Sequence, residues 1–248
     1  MTGHQSAEPA ADLRVVLVGQ ERVGKSSAGN TILRNKEFNS EDGVKLLTLS
    51  SKRAEGEFMS RRVSVVDTPG LSSSVLPPEQ VKAEIQRAVE LSSPGPHVFL
   101  LTIKLGRFTE QKETGLEKLQ EILGPEVSNY TMILFTHSDR LEQTGINIDQ
   151  FIQKDGNLQK IVQSTSGMYH VFSNKKMENR KQVQDLLDKI DSLSEGGRRF
   201  YQSQSSQITF FRWTQSLWSD RRFKLGVFFL CCWMLSNIYS RLRNEKIK

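Results

Sequence analysis

Short apolar runs alternate with amphipathic segments along most of the chain. Largely apolar runs of strand length are typical of strands buried on both faces of a sheet, and they occur at 13–18, 62–66, 97–103, 131–136 and 169–172. Helical patterns cover 26–34, 77–91, 109–123, 149–162 and 178–193. Strands that alternate with helices form βαβ units, so the pattern predicts a three-layer α/β domain with a mainly parallel central sheet.

Polar and basic stretches separate this domain from its flanks. Residues 1–11 are polar and are predicted to be a disordered tail, and 12–195 are predicted to form the domain, with a boundary at Glu195-Gly196-Gly197. A polar and basic linker or helix is predicted at 196–222. A helical hydrophobic tail at 223–240 and a basic end at 241–248 complete the predicted organisation.

The hydrophobic segment 223–240 is a candidate membrane anchor. It lies between basic residues and just reaches the length of about 17–25 residues that a spanning helix needs. Three interpretations stay open: a tail anchor, a helix lying in the membrane interface, and a terminal helix packed on the domain. We therefore expect the cytoplasmic face of an intracellular membrane, with lipid as a partner, or otherwise the cytosol. The two cysteines, Cys231 and Cys232, are adjacent, which favours a reducing compartment and allows acylation.

The positive charge of the chain is concentrated near its end. The formal net charge is +6, and ten of the 34 lysines and arginines, but only two of the 28 acidic residues, lie in 198–248. The rest of the chain is close to balanced. This distribution argues against a nucleic-acid-binding face on the domain and indicates a basic appendage, so no nucleic acid is predicted as a partner.

A phosphate-binding loop follows the first predicted strand. The pattern G-x-x-x-x-G-K-[ST] is matched between a strand and a helix, as its mechanism requires. Glycines let the backbone wrap an anion, and backbone N–H groups at a helix N-terminus face its charge. Lys25 is predicted to reach the outer phosphates and act in catalysis, and Ser26 to bind Mg²⁺. The predicted nucleotide-binding residues here are Gly19, Gln20, Glu21, Arg22, Val23, Gly24, Lys25, Ser26 and Ser27.

An Asp-Thr-Pro-Gly sequence follows the second predicted strand. In a phosphate-loop nucleoside triphosphatase an Asp at this point holds Mg²⁺ and the following Gly amide senses the γ-phosphate. These roles are predicted for Asp67 and Gly70. Thr48, in the polar loop before this strand, is predicted as a further Mg²⁺ ligand, with Ser50 and Ser51 as alternatives.

Two later strand ends carry candidate base-reading residues. Thr136-His137-Ser138-Asp139 lies where guanine-binding proteins carry Asn/Thr-Lys-x-Asp. Asp139 is predicted to accept from the two N–H groups on one edge of guanine, with His137 stacked on the base; the alternative is that Asp139 is a solvated helix cap. Asn174, after the last strand, is predicted to contact the base or Asp139, or else to be a simple turn residue.

Five stretches carry a resemblance to a known family: 23–33, 66–71, 105–109, 134–137 and 169–174. Over about Leu13 to Leu193 the chain resembles a GTPase of the immunity-associated protein (GIMAP) family, a septin-like branch of the phosphate-loop GTPases. The resemblance implies binding of GTP and GDP with Mg²⁺ and self-association through the G domain. The chain departs from the family at Glu21 and Arg22, where small residues are usual, and the base motif lacks its usual basic residue.

The residue after the Asp-x-x-Gly turn bears on hydrolysis. Ras-like enzymes orient the attacking water with a Gln there, whereas this chain has Leu71. We expect a weak or dimerisation-activated GTPase, in which Arg107 is supplied in trans; Arg22 is a second candidate. Two alternatives stay open: a non-hydrolysing, GTP-dependent membrane scaffold and, more remotely, a nucleotide kinase.

Overall fold

The computed structural model describes residues 12–39, 47–105, 113–138, 145, 147–173 and 178–203. The strands are β1 (Leu13–Gly19), β2 (Lys52–Phe58), β3 (Arg61–Asp67), β4 (Val98–Lys104), β5 (Thr131–Thr136) and β6 (Tyr169–Val171). The helices are α1 (Lys25–Leu33), α2 (Pro78–Leu91), α3 (Glu113–Leu123), α4 (Ile148–Gln153), α5 (Gly156–Gln163) and α6 (Arg180–Ser194), with a 3₁₀ helix at Pro125–Tyr130.

The six strands form one sheet in the order β2-β3-β1-β4-β5-β6. Only the β2–β3 pair within this described sheet is antiparallel; β3, β1, β4, β5 and β6 run parallel to one another. The predicted α/β fold with a mainly parallel sheet is therefore confirmed. The carboxyl ends of the parallel strands meet at one edge of the sheet, which is where α/β proteins place their ligands.

Two apolar clusters cover the two faces of the sheet. Val16 and Val18 of β1 pack in one cluster with α2, α3 and α5, while Val15 and Leu17 pack in the other with α1 and α6. Successive residues of a strand point to opposite faces, so a strand buried on both sides is apolar throughout. This explains the continuous runs that predicted the three layers.

The structure corrects two details of the predicted elements. The sequence pattern did not predict β2, because this edge strand is mostly exposed and buries only Ala54 and Phe58 among polar residues. The single helix predicted at 149–162 is wrong: α4 and α5 are separate helices. Asp155 divides them, since its side chain accepts from the backbone N–H groups of Asn157 and Leu158 and caps α5.

The domain continues past the boundary predicted at 195–197. Tyr201 is only 1% exposed, its N–H donates to the oxygen of Pro96 (2.8 Å), and its hydroxyl donates to the oxygen of Leu123. Its ring also meets Phe99 edge-on at 5.4 Å between centroids. The compact unit ends at Gln202, so the Gly196-Gly197 pair is a turn that returns the chain to the core.

The predicted hydrophobic tail at 223–240 lies outside the described residues, as do the flanks at 1–11 and 241–248. Within the part of the chain that the structure describes, no helix combines the length and apolar character needed to cross a membrane.

Replacing Tyr201 tests this extension of the domain. We expect Tyr201→Ala to lower the free energy of unfolding by about 3–5 kcal/mol, because a large buried ring is lost. Tyr201→Phe should cost only about 1 kcal/mol, because it removes one hydrogen bond. Urea unfolding of the full chain measures both. A Tyr201→Ala protein as stable as wild type would contradict the packing described here.

Candidate functional site

The phosphate loop joins the end of β1 to the start of α1. Gly19 has a φ of +143°, and a Cβ placed on it would lie 2.6 Å from the backbone oxygen of Thr102 in β4. Gly24, with a φ of +93°, directly precedes α1. Both motif glycines therefore occupy positions that a side chain would strain, and Gln20 to Val23 pass between them to the helix N-terminus.

Lys25 lies inside this loop. It is 6% exposed, and its Nζ donates to the backbone oxygens of Gln20 (2.8 Å) and Gly19 (3.3 Å). Burial lowers the pKa of Lys25 to about 8, against the opposing effect of the Asp67 and Glu21 carboxylates. The ammonium group is thus held by the loop's own carbonyls and by two nearby negative charges.

Three oxygen-bearing side chains converge at the end of β3. The Oδ2 atom of Asp67 accepts from Ser26 Oγ (2.7 Å) and Thr48 Oγ1 (3.2 Å), and the two hydroxyls are 3.4 Å apart. Asp67 is 2% exposed, and its Oδ1 has no hydrogen-bond partner among the described residues. Burial raises the pKa of Asp67, while Ser26, Lys25 and Thr48 act to lower it. A buried carboxylate with one unpaired oxygen beside two hydroxyls matches the hard oxygen donors that Mg²⁺ prefers.

The structure separates Thr48 from its two alternatives. Ser51 is bonded to α2 instead, with its Oγ donating to the backbone oxygen of Glu84 (2.8 Å), and Ser50 is exposed. Only Thr48 of the three has a hydrogen bond to Asp67 in the described residues. Thr48 also lines a cavity of about 210 Å³ that Asp67 and Phe38 share.

Asn30 fixes the backbone of Glu37 and Phe38 after α1, a role that the sequence pattern did not predict. Its Oδ1 accepts from the N–H groups of Glu37 (2.9 Å) and Phe38 (2.8 Å), and its Nδ2 donates to the oxygen of Phe38 (2.8 Å). The signal in the sequence is an Asn inside the predicted helix. The structure shows that this Asn is buried, and a buried polar side chain must be hydrogen-bonded.

The end of β5 touches the phosphate loop. Thr136 Oγ1 donates to the oxygen of Val23 (2.6 Å), and His137, with a φ of +61°, has its Nδ1 3.1 Å from that hydroxyl. The structure therefore brings His137 to the loop through Thr136, whose contact the sequence analysis missed. Three other predicted residues, Arg107, Asp139 and Asn174, lie outside the described residues.

Glu21 and Gly70 meet on the other side of the loop. Glu21 was predicted to bind nucleotide, and its carboxylate accepts from Ser73 and Ser74, just after the Asp-x-x-Gly turn. Gly70 packs against Glu21, and the next residue, Leu71, donates its N–H to the oxygen of Gly19 (3.0 Å). The loop and the turn after β3 are thus joined directly.

Together, the parallel sheet, the glycine-bounded loop before α1 and the Asp67 cluster define a phosphate-loop G domain. A family model described as the AIG1 family matches residues 13–214, and the chain belongs to this family. The resemblance predicted from the sequence is confirmed.

Two curated relatives place the chain more closely. It is 36% identical over 186 residues to "GTPase IMAP family member 8" of Homo sapiens, covering 74% of this chain and 28% of the relative. It is 30% identical over 188 residues to "Immune-associated nucleotide-binding protein 10" of Arabidopsis thaliana, covering 73% of this chain and 41% of that protein. The chain thus spans less than half the length of these relatives.

Solved structures agree on the fold. Toc33 from Arabidopsis thaliana, crystallised as a dimerization-deficient mutant, superposes with a TM-score of 0.61 at 16% identity, covering 77% of this chain and 87% of Toc33. Toc33 in complex with GDP and Mg²⁺ gives a TM-score of 0.58 at 14% identity, with coverage of 77% and 88%.

Gly19→Ala tests the close approach of the loop to β4. The added methyl meets a backbone oxygen that cannot move aside cheaply, so we expect a loss of about 1–3 kcal/mol in the free energy of unfolding. Gly156→Ala is the matched control, because a Cβ at this first residue of α5 meets nothing within 4 Å. Thermal or urea unfolding compares the two, and equal stabilities would refute the steric argument.

Proposed function

We propose that this chain binds GTP and GDP with Mg²⁺ and assembles through its G domain. The observation that carries the proposal is the convergence of Ser26, Thr48 and the buried Asp67 beside Lys25. Mg²⁺, when bound, neutralises phosphate charge. Ser26, Thr48 and the unpaired Oδ1 of Asp67 would hold it, while Lys25 and the loop N–H groups bind the phosphates.

Guanine selectivity is proposed from residue types at the end of β5. A carboxylate at Asp139 accepts from the N1–H and exocyclic amino group of guanine, a donor pair that adenine lacks. The hydrogen bond from Thr136 to Val23 supports this assignment, because it joins the end of β5, where the base-reading residues are predicted, to the phosphate loop. The name of the human relative, a GTPase, favours the same base.

Hydrolysis is proposed to be slow in a single chain and faster on self-association. Leu71 is 3% exposed and packs in the apolar cluster of α2 and α3, so it cannot orient water. We propose that Arg107 of a second copy supplies the missing positive charge. In chloroplast translocon components, represented by a solved structure of similar fold (TM-score 0.60, 15% identity), dimerization is important for the GTPase activity. This favours the same mode here over a non-hydrolysing scaffold.

The tail at 223–240 is proposed to bring this assembly to a membrane surface. Its support is compositional: an apolar segment with basic residues on both sides, which favours anionic lipid.

Nucleotide binding tests the central proposal. We expect the full chain to bind fluorescent GTP and GDP in the presence of Mg²⁺, and ATP at least about 100-fold more weakly, since a site built for hydrogen-bonding groups rejects a base lacking them. Asp67→Asn and Thr48→Ala should reduce the gain in affinity that Mg²⁺ provides. Ser50→Ala is the matched control. Absence of Mg²⁺-dependent GTP binding would end the proposal.

The depressed pKa of Lys25 gives a separate prediction. The free protein loses this proton as pH rises through about 8. A bound polyphosphate favours the charged ammonium and raises the pKa again. On binding, Lys25 should therefore take up close to one proton at about pH 9, whereas at about pH 6.5 it is already charged and should take up almost none.

Calorimetry in two buffers of different ionisation enthalpy measures this proton uptake. Lys25→Arg should abolish it, because a guanidinium stays protonated at both pH values. Equal uptake by wild type and Lys25→Arg would assign the proton to another group.

A further inference from the structure

Glu21 makes an unusual set of contacts for a phosphate-loop residue. Its Oε1 accepts from Ser73 Oγ (2.9 Å) and from the N–H of Ser74 (2.7 Å), and its Oε2 accepts from Ser74 Oγ (2.9 Å). Both carboxylate oxygens are therefore used, by residues more than 50 positions away in the chain. We call Glu21, Ser73 and Ser74 the serine latch.

The latch extends into the segment that follows Gly70. Ser73 Oγ, besides donating to Glu21, accepts from the N–H groups of Val75 (3.2 Å) and Leu76 (3.1 Å). On the neighbouring Ser72, the hydroxyl accepts from Lys118 Nζ of α3 (2.6 Å). One carboxylate of the phosphate loop thus organises four successive residues, and the residue just before them is bonded to α3.

Glu21 also packs against the turn itself. A Cβ on Gly70 would lie 2.5 Å from Glu21 Cγ and 2.9 Å from its backbone N, so the two residues are in close contact. Since the Gly70 amide is the group proposed to sense the γ-phosphate, Glu21 lies beside that sensor.

The serine latch also keeps a negative charge of the phosphate loop in a fixed position. Burial acts to raise the pKa of Glu21, but the hydrogen bonds from Ser74 and Ser73, with the charge of Arg22, outweigh it and lower the pKa. The carboxylate therefore stays ionised at neutral pH. A free carboxylate in a loop that binds phosphates would repel them, and three donors hold this one in place instead.

We propose that Glu21 is a positioning residue that locks residues 73–76 to the phosphate loop and couples nucleotide binding to that segment. The coupling to nucleotide binding rests on the proposed nucleotide site, whereas the lock between Glu21 and the segment does not. It also gives a reason for a glutamate at a loop position where small residues are usual: the side chain binds the neighbouring segment rather than the nucleotide.

Hydrogen exchange of the full chain without added nucleotide tests the lock itself. In Glu21→Ala we expect the amides of Ser74, Val75 and Leu76 to exchange about tenfold faster, as loss of hydrogen bonds to a charged group implies. Ser74→Ala should act in the same direction, and Glu21→Gln, which keeps one acceptor oxygen, should be intermediate. Glu57→Gln removes a charge on exposed β2 and should change nothing.

Nucleotide affinity tests the coupling. Ser73→Ala/Ser74→Ala frees the Glu21 carboxylate, so we expect GTP affinity with Mg²⁺ to fall by about tenfold, and by more than GDP affinity. In a Glu21→Ala background the same serine changes should have little effect, because no charge remains to be released.

The lock and the coupling to nucleotide binding can be refuted independently of each other. Unchanged exchange at Ser74 to Leu76 in Glu21→Ala, with an unchanged thermal transition, would overturn the lock. An equal loss of GTP affinity with and without Glu21 would overturn the coupling. If wild type binds neither nucleotide, the proposed function falls, while the exchange data still decide the lock.

Discussion

The site depends on placing two opposite charges, Lys25 and Asp67, out of water at one edge of the sheet. An isolated buried charge is costly, so each must be compensated by the other and by hydrogen bonds. The loop carbonyls accept from Lys25, and Ser26 and Thr48 donate to Asp67. This compensation is partial, because Asp67 Oδ1 has no partner among the described residues, and the unsatisfied oxygen is what makes the site suited to a cation.

The parallel sheet makes that arrangement geometrically available. β1 lies between β3 and β4, so the phosphate loop emerges beside Asp67 on one side and against Thr102 on the other. Helices on both faces exclude water from the strands, and Tyr201, near the end of the domain, packs in the core. Among the described residues, the polar site therefore lies at the carboxyl edge of the sheet, where loops of several strands meet.

Much of this could be predicted from the sequence because the signals are local. Continuous apolar runs marked the buried strands, and the spacing of Gly19, Gly24 and Lys25 marked the loop. The edge strand β2 could not be predicted in this way, since it is held by pairing with β3 and not by its own pattern. Asp155 likewise divides a segment whose periodicity reads as one helix.

The sequence by itself determined the fold class, the family and the residue types of the phosphate loop. Only the tertiary structure decided that Glu21 turns to Ser73 and Ser74, that Thr48 rather than Ser51 meets Asp67, and that Tyr201 belongs to the core. The physical reason is distance along the chain. These contacts join residues from 19 to 105 positions apart, and periodicity and spacing carry no information about which distant partners meet.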